Sequence, residues 1–423
     1  MNRRNSRLLI LNGGLMQMGW TFVDPATVLV AFVQTLTSSM VLIGLAGAMA
    51  RLGWAWPQVF ISRIVEPKKK KMPFLLLILS GRCLTWFVIG FSTLWLGAGQ
   101  PGLLLVIFIC LYALSSSLMG AGNVPWMDII GKAIPSWERA QMFAIRRLVG
   151  GVLSIVSGGL ISYVLSERSE IGFPDNYAVL FLFNGVTIGL SLGIFGLIRE
   201  PIQPVQSTRM ALGNYLTSGI NLLREDANFR RLCTLQFLWA FTLMATPFYV
   251  PYAISDLGIS TAYVGIFVSI MQLSSIFSNL LWAHIGKHKG NQALLFYGTC
   301  FLGLAAAIPF LVIYVPERNL IWSWTGETGL NLRVLFFSLT FIFSGFSQSA
   351  MYTGRATYML DLAPQNQRPT YISFMNLFML PQGLLPILAG AVISWISFRR
   401  MFFLALVVIP ISLMMTKRLE DIR

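Results

Sequence analysis

Twelve apolar stretches recur along the chain, at 8–35, 38–64, 72–97, 101–132, 138–165, 175–198, 228–255, 260–285, 291–315, 332–361, 368–397 and 399–417. Each is near or above the roughly 20 residues that cross a hydrocarbon layer as a helix. Lipid offers no partner to an unpaired backbone group, so runs of this length must be helical. None shows the short alternation of a membrane β-strand. Composition agrees: 56% of the 423 residues are hydrophobic and 11% are charged, against about 25% charged in soluble domains. The expected fold class is an all-α integral membrane protein of twelve transmembrane helices in a lipid bilayer.

A net charge of +15 invites a nucleic-acid reading, but no basic soluble module exists to carry one. The positive residues sit in short loops, as the positive-inside rule requires. Arg3, Arg4 and Arg7 precede the first stretch, and Arg63 with Lys68, Lys69, Lys70 and Lys71 separates the second from the third. Lys132, Arg139, Arg146 and Arg147 surround the junction of stretches four and five. Arg199, Arg209, Arg224, Arg230 and Arg231 lie in the centre, Lys287 and Lys289 after stretch eight, and Lys417 and Arg418 after the last. Alternate loops, at 36–39, 97–102 and 256–260, are nearly free of positive charge. A multi-pass protein of a bacterial-type inner membrane is expected, with both termini cytoplasmic. Arg399 and Arg400 break the rule on the opposite side, where snorkelling at a helix end is the available account.

One long polar interruption, 200–226, divides the stretches six and six. The expected domains are an N-terminal six-helix bundle (1–198), a cytoplasmic central loop (199–227) and a C-terminal six-helix bundle (228–423). Leu212, Leu216, Ile220 and Leu223 space out a short amphipathic helix along the membrane surface. The halves also repeat internally. Asp24-Pro25 in span one matches Thr246-Pro247 in span seven, and Pro135-Ser136-Trp137-Glu138-Arg139 matches Pro364-Gln365-Asn366-Gln367-Arg368.

Twelve spans, a six-plus-six duplication, a central loop and basic two–three and eight–nine loops resemble the major facilitator superfamily. Where that family carries Gly-x-x-x-Asp-Arg-x-Gly-Arg-Arg after span two, this chain keeps Arg63 and the basic end but has Gln58 and Ser62 in place of the glycine and aspartate. The second-half counterpart keeps Gly286 and Lys287. The Pro-x-x-x-Arg loops are similar to those of poorly characterised bacterial members. The resemblance implies that spans one, four, seven and ten line a central cavity and that the halves rock to alternate access.

All four of those spans carry a polar face at helical spacing. Span one offers Gln17, Trp20, Thr21 and Asp24, and span four Ser116, Gly120, Asn123 and Trp126. Span seven offers Gln236, Trp239, Thr242, Thr246 and Tyr249, and span ten Ser344, Gln348, Tyr352 and Arg355. Such stripes serve either interhelical hydrogen bonding or a substrate site for a partly apolar small molecule held by aromatics and a few polar groups. Asp24 is the sharpest single residue. An interior charge costs roughly 2.5–3.5 kcal/mol on insertion scales, so it must face water or a partner. Proton coupling through Asp24, with Arg51 at a depth that permits contact, is the functional expectation; a fixed structural pair is the alternative. Pro25 predicts a kink beside it. Arg51, Arg82 and Arg355 are all interior and should point inward, which makes the interior net positive and favours an anionic or zwitterionic ligand.

Arg63, Asp128, Arg139, Arg146 and Arg147, with Asp361 and Arg368 in the second half, gather near the basic ends of the spans. They are candidate gating pairs or ordinary topology signals. Gly150, Ser154 and Gly158 on span five, and Gly383, Pro386 and Gly390 on span eleven, are small-residue faces for close packing. The four cysteines (Cys83, Cys110, Cys233, Cys300) fall within or at the ends of apolar stretches and show no metal spacing. His284 and His288 have no acidic or cysteine partner near in sequence, and no GxxxxGK loop implies ATP. No cofactor, metal or catalytic set is expected, and the chain does not read as an enzyme. The sequence therefore points to a secondary active transporter, monomeric, moving a small organic solute by alternating access with a proton or other coupling ion. The alternative is a non-transporting member of the same fold that binds a lipid or pigment or assists assembly of a membrane complex.

Overall fold

The computed structural model describes residues 2–65, 68–202, 221–321, 330–364, 371, 374–375 and 383–420. Apart from one short antiparallel pair, β1 (Asn319–Ile321) with β2 (Leu330–Asn331), these residues form helices joined by turns. Among the described residues, nine helices are long and apolar enough to cross a membrane.

The first apolar stretch is broken rather than kinked. Helix α1 (Asn2–Phe22) ends before Asp24-Pro25, and α2 (Val28–Leu36) resumes after it. Pro25 supplies no backbone donor, so the ladder lapses there. Asp24 then organises the restart. Its carboxylate accepts from Ala26 N at 3.0 Å and from Thr27 Oγ1 at 2.8 Å, and its carbonyl accepts from Leu29 N at 3.0 Å. The matched Thr246-Pro247 does likewise: α8 (Ala227–Leu243) stops, a 3-10 turn spans Thr246–Phe248, and α9 (Tyr249–Ser255) follows.

The remaining helices are α3 (Met40–Val65), α4 (Met72–Leu96), α5 (Pro101–Ala133), α6 (Ser136–Val164), α7 (Asp175–Gly196), α10 (Tyr263–Leu311), α11 (Leu332–Leu362), α12 (Leu385–Ile396) and α13 (Phe398–Arg418). Helix α10 is two rods joined end to end, because Gly290 sits at φ 80° and ψ 175° inside it. That is where the sequence places the loop between spans eight and nine. The expected surface helix around Leu212, Leu216 and Ile220 lies outside the described residues; 221–225 are helical.

Packing contacts tie α3 to α5, α4 to α5 and α7, and α1 to α6 and α7. A second group ties α10 to α11 and α13, and α8 to α13. The groups meet mainly along α6 with α10 and α3 with α12. Missing side chains make those seams. A Cβ on Gly265 would lie 2.1 Å from the Gly158 carbonyl oxygen, and one on Gly390 would lie 2.2 Å from that of Met40. Both small-residue faces thus serve packing, though Gly150 and Ser154 face α1 rather than α10.

The apolar interior differs between the two ends of the helices. Toward the sparsely charged loops, one cluster includes Phe32, Ile43, Phe108 and Phe181 from the first group and Phe248, Tyr252, Phe337 and Phe402 from the second. Toward the basic loops the interior divides. Leu9, Leu75, Ile130, Met142 and Phe195 form one cluster, and Phe229, Leu232, Trp239, Tyr358 and Phe374 another. Arg399, the exception to the charge rule, lies over the rings of Phe310 and Tyr314 at 5.1 and 5.0 Å and donates to the Tyr314 hydroxyl. Cation–π contacts hold it where topology alone would not.

Candidate functional site

The polar faces expected to share one cavity divide between packed and open positions. Thr21 is buried; its hydroxyl donates to the Gln17 carbonyl at 2.9 Å and accepts from the Ser154 hydroxyl at 2.8 Å. Trp239 donates to Thr299 Oγ1 at 2.9 Å, and Thr242 to the Ala405 carbonyl at 3.0 Å. Tyr249 stacks near Phe402, with centroids 5.6 Å apart. Gln236 is buried, and Thr246 opens the 3-10 turn. Most of the span-seven stripe therefore meets neighbouring helices, which periodicity alone could not distinguish from a cavity wall.

Span ten behaves differently. Gln348 and Tyr352 are exposed in mid-helix. Tyr352 is met from the other group by Arg147, whose guanidinium lies 4.7 Å from the ring centroid. Arg51 is exposed although set deep in the protein, and it feels the charge of Arg355, which is half-buried. Arg51 on α3 and Arg355 on α11 bring two like charges within electrostatic reach, a disposition that an anion would stabilise. Asn123 reaches Gln58 Oε1 at 3.4 Å, and Trp126 lies under the Arg146 guanidinium at 4.7 Å. The expected contact of Asp24 with Arg51 is not made: the described partners of the Asp24 carboxylate are Ala26 and Thr27.

The gating candidates are also separated. Asp128 pairs with Lys71 at 3.0 Å and Lys132 at 2.6 Å, and Lys132 lies 3.6 Å from Glu200. Glu200 further accepts from the backbone N–H of Lys71 at 3.0 Å and Met72 at 2.9 Å, capping α4. Arg139 donates to the Ile134 and Gly131 carbonyls and so closes the end of α5. Arg146 occupies room left by Gly13, where a Cβ would lie 1.7 Å from its Nε. Asp361 accepts from Asn291 at 2.5 Å. No ion pair among the described residues joins the two groups. The Arg63 side chain and all of Arg368 lie outside the described residues.

Sequence reasoning missed two features. One is the Lys71–Asp128–Lys132–Glu200 network. Its only local signal was the i,i+4 pair Asp128 and Lys132. The other is a small cavity among α1, α4 and α5, lined by Trp20, Arg82, Trp86, Tyr112, Ser115 and Ser116. The four-residue spacing of Arg82 with Trp86 and of Tyr112 with Ser116 hinted at it.

A family model described as Major Facilitator Superfamily matches residues 9–330. No functionally curated protein matches the chain. Among solved structures, a mutant of the nucleoside transporter NupG superposes with TM-score 0.70 at 11% identity, covering 98% of each chain. A bacterial homolog of the human lysosomal transporter Spinster gives 0.68 at 12% identity, covering 99% of this chain and 96% of that one. A POT family transporter in complex with 5-aminolevulinic acid gives 0.67 at 13% identity, covering 98% and 96%. At such identities these likenesses show the fold alone. The sequence match extends over most of the chain and agrees with the helical architecture, and the chain belongs to the major facilitator superfamily.

Proposed function

We propose that the chain is a secondary active transporter that carries a small organic solute across the membrane by alternating access between two six-helix halves, 1–198 and 228–423. The observation that carries this reading is the divided interior. One apolar cluster unites both groups of helices at the sparsely charged end, while separate clusters leave them apart at the basic end. That is the form of one state of a rocking pair, open toward the basic, cytoplasmic side. The solute site in this reading is formed by Arg51, Asn123, Trp126, Arg147, Gln348, Tyr352 and Arg355, with Gln17 and Trp20 from span one.

Proton coupling falls to Asp24. A proton on its carboxylate would weaken the hydrogen bonds from Ala26 N–H and the Thr27 hydroxyl, both made to Oδ1, and so loosen the joint between α1 and α2. Tyr112 feels the charges of both Asp24 and Arg82, so these are the groups that set the field there. The test is flux of a panel of solutes into proteoliposomes with and without an imposed pH gradient, for the native chain and Asp24→Asn. Gradient-dependent uptake lost in the variant is the expected result. Flux indifferent to the gradient and to the variant removes the coupling. A sealed preparation without flux, but with a co-purifying lipid or pigment, replaces transport by ligand carriage.

A further inference from the structure

Arg82 is 2% exposed, in the middle of α4. A guanidinium carries five N–H donors, and this one has few acceptors. Nη1 lies 3.7 Å from the Met16 sulfur, and the group lies 5.9 Å from the Trp20 ring. Nε meets no hydrogen-bond partner, and no carboxylate among the described residues pairs with the group. The Tyr112 hydroxyl, buried beside it, makes no well-aligned hydrogen bond, and its polar neighbour is the Ser116 hydroxyl. Arg82 and Tyr112 line the cavity with Trp20, Trp86, Ser115 and Ser116. About 10 Å³ of it is wide enough for water.

An unpaired charge buried to this degree is strongly disfavoured unless an opposite charge meets it. The donors converging on the cavity are a cation, a phenol and two hydroxyls. The cavity has room for one atom of about the size of a water, such as a halide or one oxygen of a carboxylate, not for a whole organic molecule. We infer that Arg82 and Tyr112, with Ser115 and Ser116, form a binding site for a small monovalent anion within the N-terminal helices. That chemistry has two sources, free halide and the carboxylate of an organic solute. Trp20 lines the cavity and is only half-buried, so its side is the one from which such a head would enter. The solute source rests on the transport reading; binding of the anion does not.

The experiment is thermal unfolding of the purified full-length protein, titrated with sodium chloride, bromide, acetate or benzoate. The sodium salt of a bulky sulfonate buffer, which carries no carboxylate head, holds ionic strength constant. A saturable rise in Tm with a small anion, absent in the sulfonate alone and abolished in Arg82→Gln, is expected. Tyr112→Phe should raise the half-saturating concentration about tenfold. A rise with halide alone assigns the free ion, and a rise with carboxylates assigns the solute head; both support the site. No saturable rise in the native protein, or the same rise in Arg82→Gln, overturns it. If that variant does not fold, Arg82→Lys and Tyr112→Phe decide, and an unchanged response in both overturns it equally. Loss of solute flux with the anion response intact would count against the transport reading and leave this site standing.

Discussion

The two ends of the helical array are built from the same chain by different means. At the sparsely charged end, α6 meets α10 and α3 meets α12 over glycines, and aromatic rings from both groups share one cluster. At the basic end the apolar clusters of the described residues each stay within one group, and Arg147 over Tyr352 crosses between them. Each group's charges are spent locally, in Lys71–Asp128–Lys132–Glu200 on one side and Arg231 with Glu420 on the other. Lipid is as apolar as a leucine side chain, so contact between membrane helices depends on close packing rather than on escape from water. Where small residues permit backbone approach, the groups lock. Where long cations line the interface, the apolar clusters of the described residues do not merge.

That contrast can be broken most severely at the locked end. Gly265→Leu places a side chain against the Gly158 carbonyl and the Ser162 backbone and should destabilise the protein by about 3 kcal/mol. Thermal unfolding reads this, and spin-label distances across α6 and α10 should lengthen; a native profile would mean the glycines are incidental. Next in size is Glu200→Ala. It removes a carboxylate that is 4% exposed and bonded to two backbone N–H groups, for an expected loss of about 2–3 kcal/mol. The distance between the groups at the basic end should not change, since the network belongs to one of them.

Smaller effects sharpen the comparison. Arg147→Ala removes the cation–π contact to Tyr352 that crosses between the groups. It should shift any opening equilibrium by about 0.5–1 kcal/mol, or two- to fivefold, visible as altered populations in the distance distribution between α6 and α11 with little change in Tm. Thr242→Val deletes a hydroxyl that donates to the Ala405 carbonyl. It should cost about 0.6 kcal/mol and leave solute flux unchanged, whereas Gln348→Ala on the open face should reduce flux with Tm preserved. Equal effects of both on flux would erase the distinction between packed and open polar stripes.

By itself the sequence determined that the apolar stretches are helical, a disturbance at Pro25 and its match at Pro247, a boundary between 285 and 291, and the small-residue faces. Each follows from a local cause: run length against membrane thickness, a missing backbone donor, a missing Cβ. It also determined that polar residues in spans one, four, seven and ten share faces, because helical periodicity is a property of one segment. Only the tertiary structure decided what those faces meet. Thr21, Trp239 and Thr242 find Ser154, Thr299 and the Ala405 carbonyl, while Gln348 and Tyr352 remain open. The cavity at Arg82 needs side chains from α1, α4 and α5, and the Glu200 network joins residues more than a hundred positions apart. Neither could be read from spacing, because the angle at which one helix turns toward another is set by the packing of all of them together.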